Sequence, residues 1–185
     1  AWQIKLFEEF GKKLILFIDE PYLGCFGSAY TPLNKEDVVE ALEEMTGGIK
    51  QLGDVLIGVH CCGNTDWSIF TEVKGIDIIN FDAFSFQERF VLYAQDLKKF
   101  LERGGIICWG IVPTQEFSVK ETPDSLAAKL IQGIELLVKK GLDRDLLLEN
   151  LIISPSCGLG TLDTKTSEQI FRLLNQLSSR AKEVK

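Results

Sequence analysis

The side chains best suited to chemistry stand at two places in the sequence. His60, the single histidine of the chain, and Cys62 are two positions apart where an apolar run ends, and Cys157 follows another apolar run much later. Imidazole nitrogen and thiolate sulfur are ligands that zinc prefers in proteins, usually in a tetrahedral arrangement. These residue types and this spacing predict a zinc site, provided that the fold brings the ends of both apolar runs together.

Strand geometry decides which residues share this site. Side chains alternate between the faces of a strand, so His60 and Cys62 point the same way and Cys61 points to the opposite side. Asp82 ends a strand between the two motifs and is placed to supply a fourth ligand. The chain has no CxxC pair typical of structural zinc, which favours a catalytic site with one exchangeable position. Two thiolates and one imidazole form a soft site that readily binds a further sulfur ligand. A substrate thiol bound there loses its proton and becomes a nucleophile. The implied chemistry is alkyl transfer to sulfur.

Two other interpretations of the same residues stay open. A lone histidine near free cysteines also arises by coincidence, because buried free cysteine is common in protein cores. A disulfide between Cys62 and Cys157 is the second, although a reducing compartment disfavours it. Five cysteines in 185 residues are too few and too odd for a disulfide framework, and they predict reduced thiols in a cytoplasmic protein.

Composition and charge narrow the classes of function. The chain is 45% hydrophobic and 25% charged, as in an ordinary globular protein, and its length predicts a single domain over 1–185. A net charge of −7 disfavours a nucleic-acid partner, since phosphate binding needs a basic face. The chain has no apolar run of about 20 residues, so we expect no membrane span. The sequence leaves the oligomeric state open.

Apolar runs alternate with amphipathic segments along the whole chain. Continuous apolar runs, typical of strands buried on both faces of a sheet, predict strands at 14–18, 54–59, 76–81, 106–112 and 151–154. Helical spacing predicts helices at about 35–52, 67–73, 86–103, 123–141, 144–149 and from 164 or 166 to 182. Asn34 and Thr122 are suited to capping two of these helices, and Thr164 or Thr166 to capping the last.

This alternation indicates an α/β fold with a parallel sheet, for which three architectures are open. They are a doubly wound sheet, a small α/β domain of another topology, and part of an eight-stranded (βα) barrel. Polar or reactive residues follow all five strands, at 19–21, 60–62, 82, 113–115 and 154–157. All strands of a barrel end at one shared mouth, whereas ligands of an open sheet collect at a switch point, so the barrel is favoured. A complete barrel needs about 250 residues, so if the fold is a barrel, we expect three of its units to precede Ala1 or to be absent.

Three motifs together resemble the catalytic barrel of cobalamin-independent methionine synthase. The wider superfamily of that barrel includes uroporphyrinogen decarboxylase and zinc-dependent corrinoid methyltransferases. The motifs occur in the family's order and spacing, and they are Ile18-Asp19-Glu20-Pro21, His60-Cys61-Cys62-Gly63-Asn64 and Pro155-Ser156-Cys157-Gly158-Leu159. The resemblance covers nearly the whole chain and implies that it forms the carboxyl-terminal five-eighths of a (βα)8 barrel. It implies zinc held by His60, Cys62, Asp82 and Cys157, although the family's acidic ligand is usually glutamate.

The resemblance further implies a zinc-dependent methyltransferase of methionine biosynthesis, acting on a thiol such as homocysteine. Asp19 would hold the amino group of the substrate and Glu20 would assist catalysis. Trp109 and Ser154 are expected to contact the substrate, and Trp67, Trp109 and Phe84 to flank a flat methyl carrier. The chain departs from the family at Ser156, where the family has aspartate, and in lacking basic residues after the Cys-Gly-Leu segment. The implied methyl donor is a methylfolate or, given these departures, a methyl-corrinoid carried by a partner protein.

Two further functions compete with methyl transfer. A decarboxylase like that of uroporphyrinogen needs basic groups for substrate carboxylates, and no arginine stands near the predicted strand ends. A non-enzymatic barrel that binds a metal or a thiol is the other alternative. Asp19 and Glu20 would then serve only as caps or ion-pair partners, and aromatic residues such as Trp109 only as packing.

Overall fold

A computed structural model describes residues 4, 6–7, 13–28, 32–115, 117 and 120–183 of the chain. All five predicted strands are present, and their ends differ from the prediction by two residues at most. They are β1 Leu14–Asp19, β2 Val55–Cys61, β3 Ile78–Asp82, β4 Ile106–Val112 and β5 Leu151–Pro155. Each is followed by helical structure, so the predicted strand–helix alternation is confirmed.

Seven α-helices connect or follow the strands in the described part of the chain. They are α1 Lys35–Lys50, α2 Ser68–Glu72, α3 Ala83–Phe90, α4 Ala94–Glu102, α5 Pro123–Lys139, α6 Arg144–Glu149 and α7 Thr164–Glu183. Short 3-10 turns cover Pro21–Cys25 after β1 and Val91–Tyr93 between α3 and α4. The single helix predicted at 86–103 is therefore wrong, because the 3-10 turn divides it and its first half begins earlier.

Side-chain caps begin several of these helices. Asn34 accepts a hydrogen bond from the amide of Asp37, and Thr122 forms a reciprocal capping box with Ser125, which confirms both predicted caps. The last helix begins differently from the prediction. Its Thr166 amide donates to the carboxylate of Asp163 at 3.0 Å, so the cap is Asp163 and neither predicted threonine.

The five strands are all parallel and lie in the order β1-β2-β3-β4-β5. This order has no reversal, which excludes the doubly wound arrangement with its switch point. Because parallel crossovers are right-handed, a sheet of this order carries its crossover helices on one face. The chain is thus an α/β protein built from consecutive (βα) units, and the sheet formed by its described strands is not closed.

The covered face of the sheet holds the main hydrophobic core. An aromatic cluster lies between β3, β4 and the helices α2 and α3, with Phe81 stacked on Phe90 at 3.7 Å between ring centroids. Trp109 meets the edge of Phe81 at 5.2 Å, and Trp67 lies 5.7 Å from the same ring. All four side chains are completely buried, so this cluster fixes α2 and α3 against the sheet.

The opposite face of the sheet is open. Ile15 and Phe17 of β1 are 47% and 44% exposed, and Ile152 of β5 is 43% exposed. Burial on both faces, predicted from the apolar runs, is therefore wrong for these two outer strands, each of which has one neighbouring strand among the described residues. No helix in the described residues is both long enough and apolar enough to cross a membrane.

Candidate metal centre

The centre is built on one row of residues that crosses the open face of the sheet. Strand register pairs Asp19 of β1 with His60 of β2, His60 with Asn80 of β3, and Asn80 with Cys108 of β4. Neighbouring strands of a sheet lie about 5 Å apart, so each of these side chains borders the next. His60 therefore has a carboxylate on one side and an amide on the other.

A glycine of β4 brings the segment that carries Cys157 onto the sheet. A Cβ atom at Gly110 would lie 2.4 Å from the carbonyl oxygen of Phe81 and 2.9 Å from the Cα atom of Ser156. Only glycine allows the backbone after β5 to approach so closely. The Ser156 amide then donates to the carbonyl of Val112 at 2.8 Å, which anchors the residue before Cys157.

A second pair of glycines positions the segment after β2. A Cβ atom at Gly63 would lie 2.9 Å from the Cα atom of Gly24, which belongs to the 3-10 turn after β1. The amide of Glu20 donates to the carbonyl of His60 at 2.8 Å and joins the same two segments. The backbone next to Cys62 is therefore held against the 3-10 turn that follows β1.

The structure brings three predicted ligands together. A ring nitrogen of His60 and the sulfur atoms of Cys62 and Cys157 all lie within 4.8 Å of one another, and each residue is half-buried. In a tetrahedral zinc site with bonds of about 2.0–2.3 Å, ligand atoms are separated by somewhat less than this distance. The described residues thus contain a possible metal-binding group at the predicted position.

Hydrogen bonds decide which nitrogen of His60 is available to a metal. The Nδ1 atom lies 2.6 Å from the Oδ1 atom of Asn80, and an amide oxygen only accepts, so Nδ1 carries the proton. The Nε2 atom is buried and has no hydrogen-bond partner among the described residues. A buried polar atom without a partner is costly, and a metal ion would satisfy it. The donor set and this unpartnered nitrogen therefore both fit zinc.

The two faces of β2 separate the adjacent cysteines. Cys61 is fully buried on the covered face, as strand alternation predicts, and burial raises the pKa of its thiol to about 11. Cys157, on the open side, also has a raised pKa, first because of burial and then because Cys62 and Asp19 lie near it. A thiol in this environment keeps its proton at neutral pH until a cation replaces it.

A cavity on the open face adjoins two of the three candidate ligands, His60 and Cys157. Its volume is ≈ 330 Å³, and its lining includes His60, Asn80, Cys157, Ser154 and the exposed carboxylate of Asp19. Phe17 and Ile152 form apolar parts of its wall. Asp19 and Ser154, both expected to contact a substrate, therefore lie beside the candidate metal ligands.

Asp82 lies outside the group of three ligands. Its side chain accepts a hydrogen bond from the amide of Ser85 at 2.9 Å and caps α3. It lines a separate polar cavity with Thr114, Gln115 and Ser156. The structure therefore assigns Asp82 a capping role and does not place it with His60, Cys62 and Cys157.

Glu20 follows the last residue of β1 and lies away from the cavity of Asp19. It lines a cleft between the 3-10 turn and α1, together with Leu23, Leu42 and Met45. Burial raises the pKa of its carboxyl group. A direct part in catalysis, expected from the resemblance, is not supported by this position.

The expected contact of Trp109 with a substrate requires correction. Trp109 is 0% exposed and lies in the aromatic cluster of the covered face, where its indole N–H donates to Gln87 at 3.2 Å. Register explains the placement, because Cys108 pairs with Asn80 on the open face and its neighbour must point the other way. Trp109 is a packing residue, and so is the equally buried Trp67.

Asn80 is the residue of the site that the sequence did not single out. It stands in the apolar run Ile78-Ile79-Asn80-Phe81, where a single amide is the one polar interruption. A polar residue in such a run needs hydrogen-bond partners, which is the signal that marks it. The sequence did not identify its partners, because they come from β2, β4 and β5.

Comparison with known proteins adds no relative. No protein-family model matches the sequence, and none of the curated proteins compared with it is significantly similar.

Proposed function

We propose that this chain is part of a zinc-dependent methyltransferase that transfers a methyl group to a small thiol in the cytoplasm. The observation that carries the proposal is the convergence of His60, Cys62 and Cys157 within 4.8 Å at the carboxyl ends of two separate strands. The motifs that contain these residues resemble the family described above. Zinc held by these three side chains would lower the pKa of a substrate thiol and keep its sulfur nucleophilic at neutral pH.

The cavity beside His60 and Cys157 suits a small thiol that carries a cationic group. The carboxylate of Asp19 faces a space of ≈ 330 Å³ and stands next to His60 in the sheet. It would bind the ammonium group of an amino-acid thiol such as homocysteine and so orient the sulfur toward the metal. Ser154 offers a hydroxyl oxygen at the same cavity.

The transfer itself moves one methyl group between two carriers. The thiol sulfur bonds to the methyl carbon while the bond from that carbon to its donor breaks, and the electron pair of that bond leaves with the donor. Zinc held by His60, Cys62 and Cys157 would favour loss of the thiol proton to solvent before the transfer. The donor we propose is a methyl-corrinoid on a partner protein or a methylfolate.

The open face supports a larger barrel around this site. Ile15, Phe17 and Ile152 would be unusual as permanently exposed side chains, but they suit the interior of a closed sheet. We propose that the five (βα) units belong to an eight-stranded barrel whose remaining strands pair with β1 and β5. The site would then lie at the shared mouth of that barrel.

A decarboxylase of the uroporphyrinogen type is less well supported. Its substrate carries several carboxylates, which require basic partners. The described residues that line the cavity include the carboxylate of Asp19 and no lysine or arginine. Negative potential at this place would repel such a substrate.

Zinc-edge X-ray absorption tests the proposal directly. We expect the zinc-loaded protein to show two sulfur ligands, and one more when homocysteine is added. Cys157→Ser should lose one sulfur ligand and the transfer of methyl groups from methylcobalamin or methyltetrahydrofolate to homocysteine. The matched control is Cys25→Ser, which changes an exposed cysteine outside the ligand group and should keep both properties. Unchanged zinc content and activity in Cys157→Ser would rule the scheme out.

A further inference from the structure

Asn80 occupies an unusual position for an amide. It lies in the middle of β3 with 8% of its surface exposed, between apolar neighbours that face the opposite side. Burying an amide in a strand costs free energy unless its donors and acceptor are all used. Its side chain must therefore find partners on the open face.

Three hydrogen bonds fix the orientation of this amide. Its Nδ2 atom donates to the carbonyl oxygen of Cys108 at 2.9 Å and to the hydroxyl of Ser154 at 3.0 Å. Ser154 in turn donates to the carbonyl of Pro155 at 2.9 Å, so its oxygen is free to accept. Because a carbonyl oxygen never donates, the nitrogen of the amide must face β4 and β5. Its oxygen must then face β2.

We propose that Asn80 is a positioning residue that holds His60 in the tautomer with its proton on Nδ1. The Oδ1 atom of Asn80 accepts that proton at 2.6 Å, which leaves the lone pair of the neutral ring on Nε2. Nε2 is the nitrogen that is buried without a partner among the described residues. Asn80 therefore prepares His60 to bind a metal before any metal arrives.

This inference rests on the proposed function in one respect, which is that His60 binds a metal. The tautomer of His60 can be measured without any metal. Partners of metal-ligating histidines fix the tautomer and the ring orientation, and their loss typically costs about 10- to 100-fold in metal affinity. Ser154 acts one step further out, since it accepts from the amide that accepts from the ring. The hydrogen bonds that run from Ser154 of β5 through Asn80 to His60 of β2 thus fix the position of one proton, the proton on the Nδ1 atom of His60.

Nitrogen NMR reads the tautomer directly. His60 is the single histidine of the chain, so protein labelled with ¹⁵N-histidine gives the signals of one imidazole ring. At alkaline pH and without metal, we expect the wild type to show protonated Nδ1 and unprotonated Nε2. Asn80→Leu removes the acceptor, and we expect the proton to move to Nε2, the tautomer that a free histidine side chain prefers.

Two further variants separate positioning from a general role in folding. Asn80→Asp keeps an acceptor for Nδ1 and should keep the wild-type tautomer. Gln87→Leu is the matched control, because Gln87 is another buried amide with two hydrogen-bond partners, Trp109 and Lys129, on the covered face. It should lower the thermal stability as Asn80→Leu does and leave the His60 signals unchanged.

Zinc affinity, measured by competition with a chromophoric chelator, completes the test. We expect Asn80→Leu to bind zinc about 10- to 100-fold more weakly than the wild type, and Asn80→Asp and Gln87→Leu to bind it much as the wild type does. A wild-type ring protonated on Nε2, or a tautomer unchanged in folded Asn80→Leu, would overturn the inference. A wild type with the expected tautomer but no zinc binding would contradict the proposed function and leave the orientation of His60 by Asn80 standing.

Discussion

The covered face and the open face of the sheet take alternate residues of the same five strands. On the covered face, side chains such as Ile57, Val59 and Trp109 are completely buried and almost all are apolar. On the open face, the row from Asp19 to Cys108 contains a carboxylate, an imidazole, an amide and a thiol. One face provides the packing that holds the strands in place, and the other uses that rigidity to position reactive groups.

The two buried amides show the same difference in detail. Gln87 on the covered side receives the indole N–H of Trp109 and donates to the carbonyl of Lys129, and both partners are structural. Asn80 on the open side has a candidate metal ligand as its third partner. Polar groups on one face complete the packing, whereas those on the other face leave an atom of His60 ready for a ligand.

The largest expected effect is on the covered face. Trp109→Ala should lower the free energy of unfolding by about 3–5 kcal/mol, because it removes a completely buried member of the aromatic cluster and leaves a cavity. Urea denaturation followed by circular dichroism measures this loss. The fraction that stays folded should still bind one zinc ion. A stability loss below about 1 kcal/mol would mean that the cluster does not hold the sheet.

The adjacent cysteines of β2 give the next largest effect. Cys62→Ser should weaken zinc binding by more than the roughly 100-fold that the loss of an outer partner causes, since it removes a ligand itself. Cys61→Ser changes a buried thiol on the covered face and should affect stability while preserving zinc affinity. Chelator competition and thermal unfolding of both variants test this division. Equal losses of affinity in both would show that the two faces do not separate the roles.

Local periodicity was enough to predict the strands and the division between Cys61 and Cys62. Alternation within one strand needs no knowledge of its neighbours, and the apolar runs marked all five strands. The caps at Asn34 and Thr122 were likewise local features.

Features that depend on the register between strands could not be predicted from the sequence. Every residue of Ile106–Val112 is apolar or glycine, so no alternation in β4 indicates that Trp109 faces the helices. The partners of Asn80 come from three other strands, and the capping role of Asp82 depends on where α3 begins. The 3-10 turn that divides 86–103 has no proline or glycine to announce it.

Gly110 lies where the segment before Cys157 approaches β4, and its substitution should have an intermediate effect. Gly110→Ala puts a methyl group 2.4 Å from a backbone oxygen of β3, and it should cost about 1–3 kcal/mol as the segment of Cys157 moves away. Zinc affinity should fall as well, which chelator competition measures. Gly158→Ala is the control, because a Cβ atom there meets nothing within 4 Å. A harmless Gly110→Ala would contradict the close approach.

The pH dependence of zinc affinity should distinguish the thiols of the two faces, because only a thiol that binds zinc must release its proton. This effect should be smaller than that of Gly110→Ala. The raised pKa of Cys157 means that its thiol is protonated at neutral pH, so zinc must displace that proton. Affinity should therefore rise with pH by about tenfold per unit for each proton released, and should level off once pH exceeds that pKa. Cys61→Ala should leave this slope unchanged, because that thiol, with a pKa of about 11, lies outside the ligand group. Calorimetry in buffers of different ionisation enthalpy counts the protons.

The smallest effect on the free energy of unfolding is expected for an exposed apolar side chain of the open face. Ile15→Thr replaces a side chain that is 47% exposed, and in the chain of residues 1–185 it should cost less than about 1 kcal/mol. Ile57→Thr makes the same change at a completely buried position of the next strand, where the lost packing and the buried hydroxyl should cost about 2–4 kcal/mol. Chemical denaturation of the two variants measures the difference. If further strands close the sheet into a barrel, the side chain of Ile15 becomes buried in the barrel interior. Ile15→Thr in that longer polypeptide should then cost as much as Ile57→Thr.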